Sequence, residues 1–159
     1  MGGLDRMISN RDEGLSITGK PDADLFLANV VEGPVLGALF DQQMRAELAF
    51  TGAFRLSQRL GRLDFRQIAE MDPVAFEALF RQSPGIHRFG AMMAERTLTL
   101  AKYLVSSYDS DVKRLWADDP DDNQLHKRFE TLPGFGPSKA GVLVSALALF
   151  GHRASKPTG

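Results

Sequence analysis

Apolar residues recur along most of this chain at the three- and four-residue spacing that is typical of amphipathic helices. The clearest run follows steps of four, three, four and three residues: Ala94, Leu98, Ala101, Val105 and Tyr108. No four-residue stretch alternates apolar and polar positions while carrying the β-branched residues of a strand. The pattern therefore predicts an all-α chain of about eight to ten short helices.

Local residues mark where some of these helices begin and which one is central. Asp64, Asp72 and Asp111 stand at positions where helix N-caps are preferred, and Pro73 follows at a first helical position. Residues 140–150 carry no charge, which predicts a buried central helix. Residues 1–20 are mixed and polar, so we expect a flexible N-terminal arm followed by one domain over residues 21–159.

Length and composition narrow the possible functions. The 159 residues are enough for one domain with a core of its own, and the longest apolar run falls short of a membrane span. The chain has no cysteine, which excludes disulfides, cysteine-ligated zinc, iron–sulfur clusters and a cysteine nucleophile. The net charge is −1, so any contact with nucleic acid must depend on local geometry and not on bulk charge. We expect a cytoplasmic protein without membrane contact.

The most informative segment is a turn between a short polar helix and the long apolar one. Residues 132–140 read Leu-Pro-Gly-Phe-Gly-Pro-Ser-Lys-Ala. Gly134 and Gly136 allow unusual backbone angles and the close approach of another backbone. Pro137 suits the first turn of the next helix, whose free N–H groups can bind a phosphate, with Lys139 adding a charge. The alternative is a plain turn that only joins two helices.

This string resembles the Leu-Pro-Gly-Val-Gly-x-x-x-Ala hairpin of the helix–hairpin–helix (HhH-GPD) DNA glycosylases, the superfamily around endonuclease III and the adenine and 8-oxoguanine glycosylases. From about residue 18 the chain is similar to small actinobacterial base-excision-repair proteins of that type. The further similarities are Leu-Phe-Asp-Gln-Gln at 39–43, Arg-Leu-Gly at 59–61 and His-Arg-Phe at 87–89. The resemblance implies a single compact multi-helical domain with a helix–hairpin–helix motif that binds damaged double-stranded DNA.

The resemblance also implies roles for particular residues. The backbone amides of the hairpin would clamp a phosphate of the damaged strand, and they belong here to Gly134, Gly136, Ser138 and Lys139. A monovalent cation, Na⁺ or K⁺, would be bound by three backbone carbonyls, those of Glu130, Leu132 and Phe135. No other cofactor is expected.

Two loops would enter the DNA by the same resemblance. Gln43, with Gln42 beside it, would fill the gap that a flipped-out nucleotide leaves. A glutamine that only caps or solvates a helix end is the alternative. His87 and Arg88, followed by Phe89, correspond to a second loop that inserts into the opposite strand.

The catalytic residues of the family do not carry over directly. Bifunctional members have a Schiff-base lysine at the seventh position of the hairpin string, which is Ser138 here, while Lys139 lies about 100° further around the helix. The family's catalytic aspartate follows the second helix, but no carboxylate occurs after Glu130. Asp41 and Lys139 are the remaining candidates, so the sequence leaves open whether the chain is an enzyme.

Three hypotheses remain at this point. The chain is a base-excision DNA glycosylase, monofunctional if active, which flips a damaged nucleotide and cleaves its N-glycosidic bond. Alternatively, it is a catalytically silent module that binds lesion-bearing or distorted DNA through the hairpin. The third hypothesis is that the chain is an all-α interaction protein in which the hairpin is only a turn. The motif favours the first two, and we expect a monomer associated with the nucleoid of a bacterium.

Overall fold

The computed structural model describes residues 4–157. Within that part the chain forms nine α-helices and one 3₁₀ helix and contains no strand, which confirms the all-α prediction. The α-helices are α1 (Asp5–Asp12), α2 (Pro21–Asn29), α3 (Glu32–Phe40), α4 (Ala46–Leu60), α5 (Phe65–Ala69), α6 (Pro73–Arg81), α7 (Gly90–Tyr108), α8 (Asp122–Phe129) and α9 (Pro137–Leu149). The 3₁₀ helix, Val112–Trp116, lies between α7 and α8.

Helix α3 lies at the centre of the core. Every residue from Gly33 to Phe40 is buried, and the helix packs against α4, α7 and α9. It approaches α4 so closely that a Cβ atom at Gly37 would overlap the ring of Phe50. The apolar helix α9 packs between α3 and α8, in agreement with the central position predicted from its uncharged sequence.

The predicted helix starts are confirmed by hydrogen bonds. The carboxylates of Asp64, Asp72 and Asp111 each accept a bond from a backbone N–H in the first turn of the helix that follows. Asp121 caps α8 in the same way and forms a reciprocal capping box with Gln124. These caps satisfy N–H groups that have no partner within their own helix.

The prediction of a flexible arm is wrong for residues 4–20. Leu4 and Met7 are buried in the core, and α1 packs against α4. The segment after α1 is fixed by Asp24, whose carboxylate accepts hydrogen bonds from Ser16, Ile17 and Thr18. Only a few apolar side chains anchor this segment, which is why the hydrophobic pattern did not reveal it.

No single helix in the described part is long and apolar enough to cross a membrane. Helices α2 and α3 reach that criterion only as a pair, and the chain bends by 117° between them.

Candidate nucleic-acid interface

Helices α8 and α9 pack side by side and are joined by a tight hairpin over residues 130–136. The N–H of Phe135 donates to the carbonyl of Leu132 at 3.0 Å. Pro133 and Gly134 occupy the two central positions of this turn, and Gly134 has a left-handed backbone with φ +84°. Proline followed by a left-handed glycine is the pattern of a type II turn. A Cβ at Gly134 would also lie 2.9 Å from Cδ1 of Leu39, so the fold itself requires glycine there.

Gly136 differs from Gly134 in both respects. Its φ of −110° and ψ of −170° are extended values that any residue adopts. A Cβ at this position would meet no atom within 4 Å. Neither the backbone conformation nor the internal packing explains a glycine here. The space above Gly136 is open, directly at the N-terminus of α9.

The first turn of α9 has unsatisfied hydrogen-bond donors. The first helical bond runs from the N–H of Ala140 to the carbonyl of Gly136. Among the described residues, the N–H groups of Ser138 and Lys139 have no acceptor, and Gly136 provides no side-chain cap. Such amides, together with the positive end of the helix dipole, form a binding site for an anion.

His126 braces this hairpin from α8. Its Nε2 donates to the carbonyl of Pro137 at 3.0 Å, and its Nδ1 lies 2.7 Å from a carboxylate oxygen of Glu130. The imidazole therefore ties the start of α9 to the end of α8. This contact fixes the direction in which the free amides of α9 point.

A second loop, residues 41–45, connects α3 to α4 beside the hairpin. Gln43 is exposed and has a left-handed backbone with φ 55°. Nη1 of Arg88 donates to the Gln43 carbonyl at 3.0 Å, and Nη1 of Arg96 donates to Oε1 of Gln42 at 2.8 Å. The position of Arg96 next to Gly134 places this loop and the hairpin on the same side of the molecule.

The structure corrects the expectation for His87. Its side chain is only 7% exposed, so it does not present itself to DNA as the sequence suggested. Nε2 donates to the carbonyl of Phe40 at 2.8 Å, while Nδ1 accepts the N–H of Phe89 at 3.0 Å. One nitrogen donates and the other accepts, which requires the neutral imidazole. Burial lowers the pKa of His87 and favours the same form.

Arg88, next in the chain, is exposed as expected. Its guanidinium carbon lies 5.6 Å from the centre of the Phe89 ring, in cation–π contact. The 84–89 connection before α7 therefore contributes one buried imidazole that contacts α3 and one exposed cation that contacts Gln43.

The structure also corrects the expectation for Lys139, because its backbone and side chain have different surroundings. The backbone amide belongs to the first turn of α9, but the side chain is only 8% exposed. Its Nζ atom is buried and has no hydrogen-bond partner. Burial, with a contribution from Arg96, lowers the pKa of Lys139 to about 8, against an opposing effect of Asp41.

The charges of Asp41 and Lys139 each act on the pKa of the other residue, but the two side chains form no ion pair within 4.0 Å. Asp41 is half-buried, and burial raises its pKa although the charge of Lys139 acts in the opposite direction. A carboxyl group and an amine with pKa values displaced toward each other are typical of reactive sites. The pair lies at the end of α3, next to Gln42 and Gln43.

Three arginines near the two loops keep their charge available for an external anion. In the described part of the chain, Arg45, Arg88 and Arg96 have no carboxylate within 4.0 Å. Several basic side chains elsewhere are paired: Arg81 with Glu77, Arg128 with Asp118, Arg153 with Asp122, and Lys156 with Asp119. The local excess of positive charge is compatible with a polyanion despite the net charge of −1.

Sequence reasoning did not identify Arg45 and Arg96 as members of this site. Arg96 is not part of the apolar stripe that runs from Ala94 to Tyr108, and its contact with Gln42 is what links it to the loop. The carbonyls of Glu130, Leu132 and Phe135 lie on the hairpin, and a monovalent cation there remains a prediction. The described residues contain no group of three His, Cys, Asp or Glu that could hold a metal ion.

Comparisons of the chain with protein-family models, curated proteins and solved structures found no match.

Proposed function

We propose that this chain is a base-excision-repair protein of the DNA glycosylase type, which binds damaged double-stranded DNA as a monomer and flips a lesion base. The observation that carries the proposal is the first turn of α9, where the free amides of Ser138 and Lys139 face the open space above Gly136. Free amides at a helix N-terminus bind phosphate oxygens without a bulk positive charge. A DNA phosphate fits that chemistry.

The loop over residues 41–45 supports insertion into the duplex. Gln43 is exposed on a fixed backbone, and Arg45 and Arg88 flank it with unpaired positive charge. A long polar side chain can occupy the gap left by an extruded nucleotide and bond to the unpaired base opposite. Phosphates on either side of the gap would then lie near the arginines.

Asp41 would be the carboxylate that promotes cleavage of the N-glycosidic bond. The bond breaks through an oxocarbenium-like state, which a carboxylate stabilises while orienting water. Asp41 lies beside the insertion loop, and its neighbour Lys139 would keep it in the charged form as the DNA excludes water. The alternative function is a silent lesion-binding module, which would bind DNA through the same hairpin and loop without cleaving the bond.

Fluorescence anisotropy with two duplexes tests the binding proposal. One duplex carries a central abasic-site analogue, and the other is intact with the same flanking sequence. We expect tighter binding to the abasic duplex, because the extruded position is already unstacked. Equal affinity for both duplexes, or no binding to either, would contradict the proposal.

A panel of duplexes with alkylated, oxidised, deaminated and mismatched bases separates the glycosylase from the silent module. Base release that is lost in Asp41→Asn, with binding to the abasic duplex retained, supports the enzyme. Binding without release from any member of the panel supports the silent module.

Gly136→Ser is the matched test of the hairpin. Serine is a preferred N-cap residue, and its hydroxyl would bond to the same amides that are proposed to hold the phosphate. We therefore expect weaker DNA binding without loss of folding. Unchanged affinity in this variant would show that the first turn of α9 does not contact DNA.

A further inference from the structure

We infer that the loop over residues 41–45 is held in a preset inserting shape by three positioning residues, His87, Arg88 and Arg96. The inference rests on the proposed function, since the shape of the loop matters for DNA only if Gln43 enters the duplex. All three residues are distant in sequence from the loop, by 45 to 54 positions. They contact it at successive points, which are the end of α3, the side chain of Gln42 and the carbonyl of Gln43.

His87 fixes the point at which the chain leaves α3. The carbonyl of Phe40 accepts two hydrogen bonds, one from Nε2 of His87 and one from the N–H of Gln42, both at 2.8 Å. Carbonyls in the last turn of a helix lack partners within the helix. Here both acceptor positions of the Phe40 carbonyl are used, so the direction of the chain into the loop is determined.

Arg88 acts on the strained residue itself. A left-handed backbone is unfavourable for a residue with a side chain, and Gln43 has φ 55°. The bond from Arg88 to the Gln43 carbonyl stabilises that conformation, and the stacking of Arg88 on Phe89 limits the freedom of the guanidinium. Arg96 restrains the preceding side chain through Oε1 of Gln42.

The result is a fixed backbone that presents a free side chain. No hydrogen bond in the described part of the chain involves the side chain of Gln43, which is exposed. A loop that is ordered before binding loses less conformational entropy when it enters DNA. The three contacts therefore assign to His87, a buried residue that cannot reach DNA, a role in insertion.

The experiment compares His87→Leu, which removes both ring nitrogens, with His87→Gln, which keeps a donor near the position of Nε2. His152 supplies the matched control, because its Nε2 makes the same kind of bond to the carbonyl of Leu27, at 2.6 Å. His152→Leu and His152→Gln are therefore measured in parallel. Arg88→Gln is a second variant, at an exposed position where folding is not at risk.

The first measurement uses the full chain without DNA. Backbone amide order parameters of Gln42 and Gln43 are obtained by NMR relaxation, together with the rate of trypsin cleavage after Arg45. We expect the order parameter of Gln43 to fall below about 0.6 in His87→Leu and Arg88→Gln. Cleavage should become about fivefold faster, the population change that the loss of one net hydrogen bond produces. His87→Gln should restore most of the order, and the His152 variants should leave the loop unchanged.

The second measurement uses a duplex with 2-aminopurine next to an abasic-site analogue, at saturating protein. We expect the fluorescence increase on insertion to be reduced in His87→Leu and restored in His87→Gln. A loop as rigid in His87→Leu as in the wild type would overturn the positioning role, whatever the DNA result. A wild type that binds the abasic duplex no better than the intact one would overturn the proposed function, and the insertion role with it.

Discussion

At the scale of single residues, the two hairpin glycines serve different purposes. Gly134 combines a left-handed backbone with a close approach to Leu39. Gly134→Ala should therefore lower the free energy of unfolding by about 1–3 kcal/mol, through backbone strain and the displaced contact. Chemical denaturation monitored by circular dichroism measures this loss. A variant as stable as the wild type would contradict the requirement for glycine in the turn.

Gly136→Ser should change stability in the opposite direction. The extended backbone of Gly136 suits an N-cap, and α9 now begins without a side-chain cap. A serine there should raise the free energy of unfolding by a few tenths of a kcal/mol, the usual difference between serine and glycine at this position. The same denaturation experiment measures the gain. A gain in stability together with weaker DNA binding would show that Gly136 serves the anion site and not the fold. A loss of both stability and DNA binding would show that the fold itself requires Gly136.

The buried amine of Lys139 should make stability depend on pH in a defined direction. Its pKa of about 8 in the folded protein is below the ordinary value of 10.5. Between these values the unfolded chain binds more protons, so stability rises with pH through this window, and the penalty is fully present below pH 8. Lys139→Met should therefore stabilise the protein at pH 7, by up to about 3 kcal/mol.

The gain from Lys139→Met should shrink as the pH approaches 10.5, since the wild type then loses the buried charge. Urea denaturation at several pH values measures the difference. Lys102→Met, at an exposed position on α7, is the control and should show no such trend. A stability difference for Lys139→Met that is constant with pH would show that the amine is not buried in its charged form.

The local sequence was sufficient to predict the structural role of some of these residues and insufficient to predict that of others. The aspartate caps and the turn glycine depend on neighbours within a few positions, so the sequence predicts them directly. The burial of His87 and of the Lys139 side chain depends on α3, which is distant in the chain. The sequence therefore named both residues as candidates but could not predict that their side chains are buried.

At the scale of elements, the periodic helices were predictable and α1 was not. Helix α7 has a clear apolar period and α9 an uncharged, mostly apolar sequence, and both occur close to the predicted positions. Helix α1 has eight residues, and only Met7 within it is fully buried. A helix with a single buried side chain shows no detectable hydrophobic periodicity in its sequence. The contact between loop 41–45 and the 84–89 connection could likewise not be predicted from the sequence, because no local pattern encodes a contact between distant loops.

Met7 tests whether α1 belongs to the cooperative fold. Met7→Ala removes a side chain that is completely buried, and it should lower the free energy of unfolding by about 2–5 kcal/mol. Arg11→Ala, on the exposed face of the same helix, should change it by less than about 0.5 kcal/mol. Thermal denaturation of the two variants beside the wild type measures the contrast. Equal stabilities of Met7→Ala and Arg11→Ala would show that residues 4–12 do not belong to the cooperative fold.

At the scale of the whole molecule, the distribution of charge matters more than its sum. The net charge of −1 provides no general attraction to DNA, and the acidic residues 118–122 are largely engaged by Arg128, Arg153 and Lys156. Three arginines without a carboxylate within 4.0 Å, Arg45, Arg88 and Arg96, lie near the two loops, where neutral backbone amides supply the other proposed phosphate contact. Such an interface is small, and its affinity should come from geometry as much as from charge.

The salt dependence of DNA binding measures the size of this interface. Each phosphate neutralised by a side chain contributes close to −0.9 to the slope of log K against log salt concentration, and three arginines predict a slope of about −3. Arg45→Ala should make the slope shallower by about one, because it removes one such contact. Arg81→Ala should leave it unchanged, since that arginine is paired with Glu77 on α6. A wild-type slope near −8 would indicate many more phosphate contacts than three arginines can supply, and an unchanged slope in Arg45→Ala would remove that arginine from the interface.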